Sequence, residues 1–310
     1  MKSSSKIRAL AAAATLLAGC ATAWSDETET DALAAIRGKG TIEIAVYAEF
    51  PPYSFGKTAA DAQGIDVDIA RDIAKRLGLK LKLRMIAAGE TVSDDLRNHV
   101  WKGHYMGGGV ADVMLHVGYD PVFAGREKNV VLFEPYFHET VVVAYRPSRI
   151  PHLESPIALT EHKIAVEGDT ISDHIMSSAY GGALRNSAVR EKSLEDAVVA
   201  FKAGAVDGVM GPQGELQGLL TEQRVSDVMF HAQERVGQMR TAWDVGIAVK
   251  EGNGTGLRDA VAAALERLKS DGSLEKIFAA YGVKYIDAPS TAAEKKVARD
   301  ASLSPTQPKE

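Results

Sequence analysis

From Thr41 to Tyr281 the chain alternates short apolar runs with longer segments whose apolar residues recur every three or four positions. The runs Thr41–Tyr47, Leu79–Met85, Val110–Leu115, Lys163–Val166, Val206–Met210 and Val245–Val249 have strand length. Between them lie helix patterns. Ile65, Ile69, Ile73 and Leu77 share one face after Gly64. Ser193 caps a helix lined by Leu194, Ala197, Val198 and Phe201. Val261, Ala264, Leu265 and Leu268 precede a last helix carrying Leu274, Ile277, Phe278 and Tyr281. Parallel strands cannot be joined by tight turns, so this alternation predicts an α/β fold of mostly parallel sheets flanked by helices. The pattern restarts after about Tyr145. It therefore predicts two lobes, 24–144 with 243–287 and 145–242, with two hinge crossings and the final helices returning to the first lobe. Val130–Phe133 and Glu139–Ala144 read as two separate extended runs, and Thr91–Val100 as a short helix.

Both ends stand outside this pattern. Lys2, Lys6 and Arg8 precede an apolar run from Ala9 to Ala18, which reads as an export signal spanning 1–23. Two cleavage readings stay open: a lipobox ending at Cys20, which would be lipidated, or ordinary cleavage after Ala23. Cys20 is the only cysteine, so the mature chain must rest on its apolar cores. The Ser/Thr/Ala/Lys/Pro-rich stretch 288–310 reads as a disordered tail. A net charge of −5 argues against a nucleic-acid partner. Later segments are too short to span a bilayer, so contact with a membrane would come only through a lipid anchor.

The segments YAEFPPYSF (Tyr47–Phe55), GIDVDIARDIAKRLGLKLKL (Gly64–Leu83), ADVML, FEPYF, IAVEGDT (Ile164–Thr170), KAGAVDGVM (Lys202–Met210) and LKSDGSLEKIFAAYG (Leu268–Gly282), in that order, resemble the family 3 extracellular solute-binding proteins of bacterial ABC importers. The resemblance implies a monomeric periplasmic protein of two hinged lobes that captures a small solute and hands it to an ABC permease. Gly107–Gly109 and Gly211-Pro212 resemble a branch of the family that accompanies periplasmic quinoprotein dehydrogenases, which implies a dehydrogenase as the alternative partner. In the amino-acid binders, a serine/threonine pair and an arginine follow the strand matching Ala111–Leu115, and an aspartate follows the strand of the second lobe. Here His116, Val117, Gly118 and Tyr119 replace the hydroxyls, Arg126 is displaced, and Gly211-Pro212 supplies no carboxylate. A buried ammonium without a countercharge is costly, so a standard α-amino acid fits poorly.

In open parallel sheets ligands bind beyond the carboxyl ends of strands. That rule selects Tyr47, Glu49, Phe50 and Tyr53 after the first strand, His116 and Tyr119 after the third, and Gly168, Asp169 and Thr170 at a helix start in the second lobe. The aromatic residues beside Pro51-Pro52 suit a flat or apolar ligand. The free N–H groups at Gly168–Thr170 suit an anion, though Asp and Thr there are equally ordinary N-caps. Arg126 can grip an oxyanion or simply lie solvated. Asp244, at the return crossing, can meet a cationic group of a ligand or serve the hinge, and the hinge reading is favoured. His99, His104 and His116 lack a metal-ligand spacing, and no cofactor is expected. No nucleophile elbow, phosphate loop or dinucleotide fingerprint is present, so binding is favoured over catalysis. The enzyme alternative is a cyclohexadienyl dehydratase, which resembles the same family and would need a general acid from Glu49, Glu167 or His116.

Overall fold

The computed structural model describes residues 32–289, except 234, 238 and 254. The elements run α1 (Ala32–Lys39), β1 (Thr41–Tyr47), α2 (Ile65–Arg76), β2 (Lys80–Ile86), α3 (Val92–Leu96), β3 (Val113–Tyr119), α4 (Pro121–Arg126), β4 (Val130–Tyr145), β5 (Ile164–Glu167), α5 (Ile171–Ser178), β6 (Ala188–Glu191), α6 (Leu194–Lys202), β7 (Gly208–Pro212), α7 (Gln213–Glu222), β8 (Met229–Ala232), β9 (Ala242–Lys250), α8 (Thr255–Ser270) and α9 (Ser273–Ala280). A π-helical turn, Arg97–Trp101, extends α3. The signal segment, Cys20 and all of the C-terminal tail beyond Pro289 lie outside the described residues. Ala288, the tail's first residue, is buried.

Two α/β lobes share one run of hydrogen-bonded strands in the order β2-β1-β3-β9-β4-β7-β5-β6, with β8 on β4. Within each lobe the strands that feed helices pair in parallel: β1 with β2 and β3, and β5 with β6 and β7. The two crossing strands, β4 and β9, pair antiparallel. Each sheet buries both faces. In the first lobe Ile42, Ile44 and Val46 meet α2, α8 and α9, while Ala45, Met114 and Ala248 face α3 and its π-helical turn. In the second, Val141, Val143 and Ile164 pack towards α5, and Val142, Ala144 and Ala165 towards α6 and α7. That two-sided burial is why the strands read as continuous apolar runs.

Two local expectations change. The runs Val130–Phe133 and Glu139–Ala144 are one strand, β4, with a register shift between Phe133 and Phe137. Its first part pairs with β9 and its residues Val141–Tyr145 with β7. The strand thus passes from one lobe's sheet into the other's. The run that began at Val110 instead forms β3 from Val113 to Tyr119, so His116 and Tyr119 lie inside a strand rather than beyond it. A bulge between Met114 and Val117 allows this. His116 adopts φ 58, a left-handed conformation that breaks the ladder. Local sequence did not show it because the bulge is held from outside the strand.

The chain order makes β1 the switch point of the first sheet, flanked by β2 and β3. It makes β5 the switch point of the second, flanked by β6 and β7. By the crevice rule, the loops after β1 and after β5 are the two prime places for a ligand.

Candidate functional site

The loop after β1 is built tightly. Phe50 N–H donates to the Ser54 carbonyl at 2.8 Å, Ser54 N–H donates back at 2.8 Å, and the Ser54 hydroxyl donates to the Tyr47 carbonyl. The loop stacks its rings: Phe50 and Tyr53 lie 5.0 Å apart, and His116 lies 4.9 Å from Phe50 and 4.3 Å from Tyr53.

His116 is positioned by two long-range partners. Its Nδ1 lies 2.8 Å from Asp66 Oδ2, and its backbone N–H donates to the Tyr136 hydroxyl at 3.1 Å. Tyr136 in turn donates to Asp66 Oδ1 at 2.7 Å. Asp66 sits fully buried in the first turn of α2. The Asp66 of the GIDVD segment therefore holds the strained histidine from beneath. Tyr47 is anchored likewise: its hydroxyl donates to Asp95 at 2.8 Å. Burial and the nearby carboxylate push that phenol well above its ordinary value.

A cavity of about 370 Å³ opens between the lobes at the carboxyl ends of β1 and β2 and the start of α7. It is walled by Tyr47, Glu49, Phe50, Tyr53, His116, Glu139, Glu215 and Trp243, with Ala48 and Ala88 between them. Glu139 lies on β4 at the passage between sheets. One oxygen accepts from the Tyr53 hydroxyl at 2.6 Å, the other from the backbone N–H groups of Thr140 at 2.9 Å and Gly214 at 3.1 Å. Gly214 lies in the first turn of α7, so Glu139 ties the first lobe's aromatic loop to a helix N-terminus of the second. Burial raises its carboxyl above the usual range, opposed by these hydrogen bonds. Glu215 follows in the same turn. Burial and the facing Glu139 and Glu167 push it up much further.

A close seam lies beside the cavity. A Cβ on Gly214 would strike the Tyr53 hydroxyl, and one on Gly218 would stand 2.7 Å from Pro52 Cγ. Only glycines let α7 approach the Pro51–Tyr53 loop so closely. Lys284 N–H donates to Gln217 Oε1 at 2.9 Å on the same helix. A second interlobe cavity, of about 440 Å³, lies against Pro52, Phe55, Gly218, Thr221 and Tyr281. The first cavity is the stronger candidate. It contains two residues with left-handed backbone, Glu49 at φ 53 and His116, and such strain collects at ligand sites.

Of the residues selected by sequence, Tyr47, Glu49, Phe50, Tyr53 and His116 line the cavity. Tyr119 does not. It pairs with Asp244 across β3 and β9 and packs into the apolar layer beside Met114. Arg126 is exposed at the end of α4. Gly168, Asp169 and Thr170 are absent from the wall. Thr170 caps α5, its hydroxyl accepting from the Asp173 N–H at 3.4 Å and donating to the Glu167 carbonyl at 2.8 Å. Gly168 N–H donates to the Glu191 carbonyl at 3.0 Å and Asp169 N–H to Asp173 Oδ2 at 3.2 Å. The Gly168 and Asp169 N–H groups expected to meet an anion are thus already engaged, by β6 and α5. Asp244 faces His138, Oδ1 to Nδ1 at 2.6 Å.

Sequence reasoning missed Glu139, Glu215 and Trp243. Gly211-Pro212 supplies no carboxylate, but Glu215 arrives three residues after that strand ends at Pro212 and enters the wall from α7. An acidic residue in the apolar run around Val141–Val143 was the available signal for Glu139. Glu215 gave none, because an acid in a helix's first turn is ordinary. Among the described residues no group of three or more His, Cys, Asp or Glu could hold a metal ion, and no helix is long and apolar enough to cross a membrane.

Residues 42–100 match the model of the bacterial extracellular solute-binding proteins, family 3. The resemblance read from the motifs is borne out by this match. No curated protein matches the chain. Solved structures match over most of this chain. A polar amino acid ABC uptake transporter substrate-binding protein from Streptococcus thermophilus is 15% identical, with TM-score 0.66, 88% of this chain and 97% of that one covered. An amino acid ABC transporter substrate-binding protein from Streptococcus pneumoniae, bound to L-arginine, is 17% identical, with TM-score 0.55, 83% and 100% covered. An ancestral amino-acid-binding protein, described as a precursor of cyclohexadienyl dehydratase, is 20% identical, with TM-score 0.52, 82% and 100% covered. At these identities the likeness establishes the two-lobed fold.

Proposed function

Starting from a chain with the family 3 segment at residues 42–100 and the two-lobed fold of the ABC substrate-binding proteins, we propose that this protein captures a small polar or aromatic-compatible solute between its lobes and delivers it to an ABC importer. One observation carries the reading: the cavity at the β1 switch point is walled from both lobes, by Tyr47, Phe50 and Tyr53 on one side and Glu215 of α7 on the other. A solute that bridges them favours the closed arrangement by its differential affinity. The lobes are assigned as 24–144 with 243–287 and 145–242, and the protein is placed outside the inner membrane as a monomer. Lipidation at Cys20 is part of the same proposal. The partner is an ABC permease; a periplasmic dehydrogenase has no support in the comparisons.

The test is a thermal-shift screen across sugars, organic acids, amines and amino acids. A cognate solute at 100 times its Kd should stabilise the protein by about 2.7 kcal/mol. A screen in which every class leaves the melting temperature unmoved would remove the capture reading.

The enzyme alternative has one observation in its favour. Glu215 lies in the cavity wall with its carboxyl raised well above the ordinary range by burial and the facing Glu139 and Glu167, the direction that suits a general acid. Against it stands the wall, in which no Lys or Arg among the described residues is present to hold the carboxylates of prephenate or arogenate. The protein incubated with either compound should give no turnover.

A further inference from the structure

On the capture reading, the geometry points to a small organic cation as the solute, an amine or quaternary ammonium without a carboxylate, seated on the rings of Tyr47, Phe50, Tyr53 and Trp243 with Glu215 as its counter-charge and Glu49 at the rim.

The composition of the wall is the first argument. Among the described residues its ionisable side chains are three glutamates, one histidine and two tyrosines, with no Lys or Arg. A solute carboxylate would meet three carboxyl groups and, among the described residues, no Lys or Arg, while the one histidine is already engaged by Asp66. Arg126, the one cation that sequence offered, lies exposed on α4 outside the wall.

The second argument is which groups are still free. Tyr53 donates its hydroxyl to Glu139, and Tyr47 donates its own to Asp95. Neither phenol is left to donate to a solute oxygen, so both offer the cavity ring surface. Aromatic rings attract a cation through their quadrupole, most strongly when it is desolvated. Glu139 is occupied too, by Tyr53, Thr140 and Gly214. Among the described residues no hydrogen bond or ion pair engages the Glu215 carboxyl. His116 is held through Nδ1 by Asp66. If Nδ1 carries the ring's proton, Nε2 is an acceptor, which suits an N–H donor on the solute.

The groups facing Glu215 are Glu139 of β4, Glu167 of β5 and Tyr53 of the loop after β1. None is a Lys or Arg, and burial with the facing carboxyls raises Glu215 well above the ordinary carboxylate range. A bound cation would supply the missing counter-charge and favour loss of the Glu215 proton.

Isothermal titration calorimetry on the full chain at pH 7 tests this with five probes. Phenethylamine is compared with its neutral relative 2-phenylethanol and its carboxylated relative L-phenylalanine; choline is compared with 3,3-dimethylbutan-1-ol. Each cation should bind at least tenfold more tightly than its relatives. Glu215→Gln should remove most of that preference while leaving the neutral probes unchanged. Titration in two buffers of different ionisation enthalpy should show proton release in the parent and none in E215Q. If E215Q is poorly folded by circular dichroism, Glu49→Gln serves as the second variant, with a smaller loss for both cations. L-Phenylalanine or a neutral probe binding as tightly as the cations would overturn the solute class and leave solute capture standing. Failure of all five to bind would likewise count against the class, and the broader thermal-shift screen would then decide the capture reading separately.

Discussion

The loops after β1 and after β5 occupy equivalent positions, each at the switch point of its own parallel sheet, yet only the first lines the cavity. The loop after β1 commits its backbone and hydroxyl groups to itself and to buried acids, and so presents rings outward. The loop after β5 is also satisfied, but through small side chains: Thr170, Asp169 and Gly168 close on Glu167, Asp173 and Glu191. With no large group to project, it contributes nothing to the wall. The second lobe is represented by the first turn of α7 instead. Topology thus names where a site can be, while side-chain size and the fate of backbone donors decide whether one is there.

The largest expected effect tests the support under the first loop. Asp66→Ala strips partners from the buried Tyr136 hydroxyl and from His116, and urea unfolding should show a loss of roughly 3–5 kcal/mol. The matching change in the second lobe, Asp173→Ala, breaks its pair with the half-exposed Arg190 and its contacts with the Asp169 N–H and Ser177, at or near the surface, and should cost about 1 kcal/mol. Equal costs would erase the contrast.

Next is the seam. Gly214→Ala puts a methyl against the Tyr53 hydroxyl and Glu139. It should destabilise by about 1–3 kcal/mol and weaken every cavity ligand, as read by thermal unfolding and calorimetry. A comparable loss is expected for Tyr53→Phe, which leaves Glu139 short of a donor in a buried place; roughly 1–3 kcal/mol is the ordinary cost of such an orphan.

A pH series sharpens the same contrast. Glu139 and Glu215 are raised in the folded protein above their ordinary 4.5. The folded state therefore holds protons that the unfolded state gives up, and stability falls as pH rises from about 4.5 towards the folded values. E215Q should flatten that fall in melting temperature between acid and neutral pH. A steeper fall in E215Q would contradict the assignment.

The smallest effect is expected at Thr170→Ala. Loss of the α5 cap should cost about 1 kcal/mol, with affinity for a cavity ligand unchanged within twofold. A large loss of affinity would return the loop after β5 to the site.

Much of this architecture was readable in one dimension. β1 begins and ends where its apolar run does, and the faces of α2, α6 and α8 follow their periodicity. Tyr47, Glu49, Phe50 and Tyr53 were legible because they follow a strand that could be recognised locally. His116 was selected for the wrong local reason: it lies within β3, held by residues 50 and 20 positions away. Glu139 and the α7 turn meet across 75 residues of sequence, so no window on the chain contains both.

The amino-acid sequence by itself determined the elements, their two-fold recurrence and one wall of aromatic residues, because periodicity and strand ends are properties of neighbouring residues. Only the tertiary structure decided which switch point opens into a cavity, which hydroxyls are spent, and which carboxyl is left without a partner. Those depend on burial and on donors that arrive from the other lobe, and the free energy of a charge is set by what surrounds it in space.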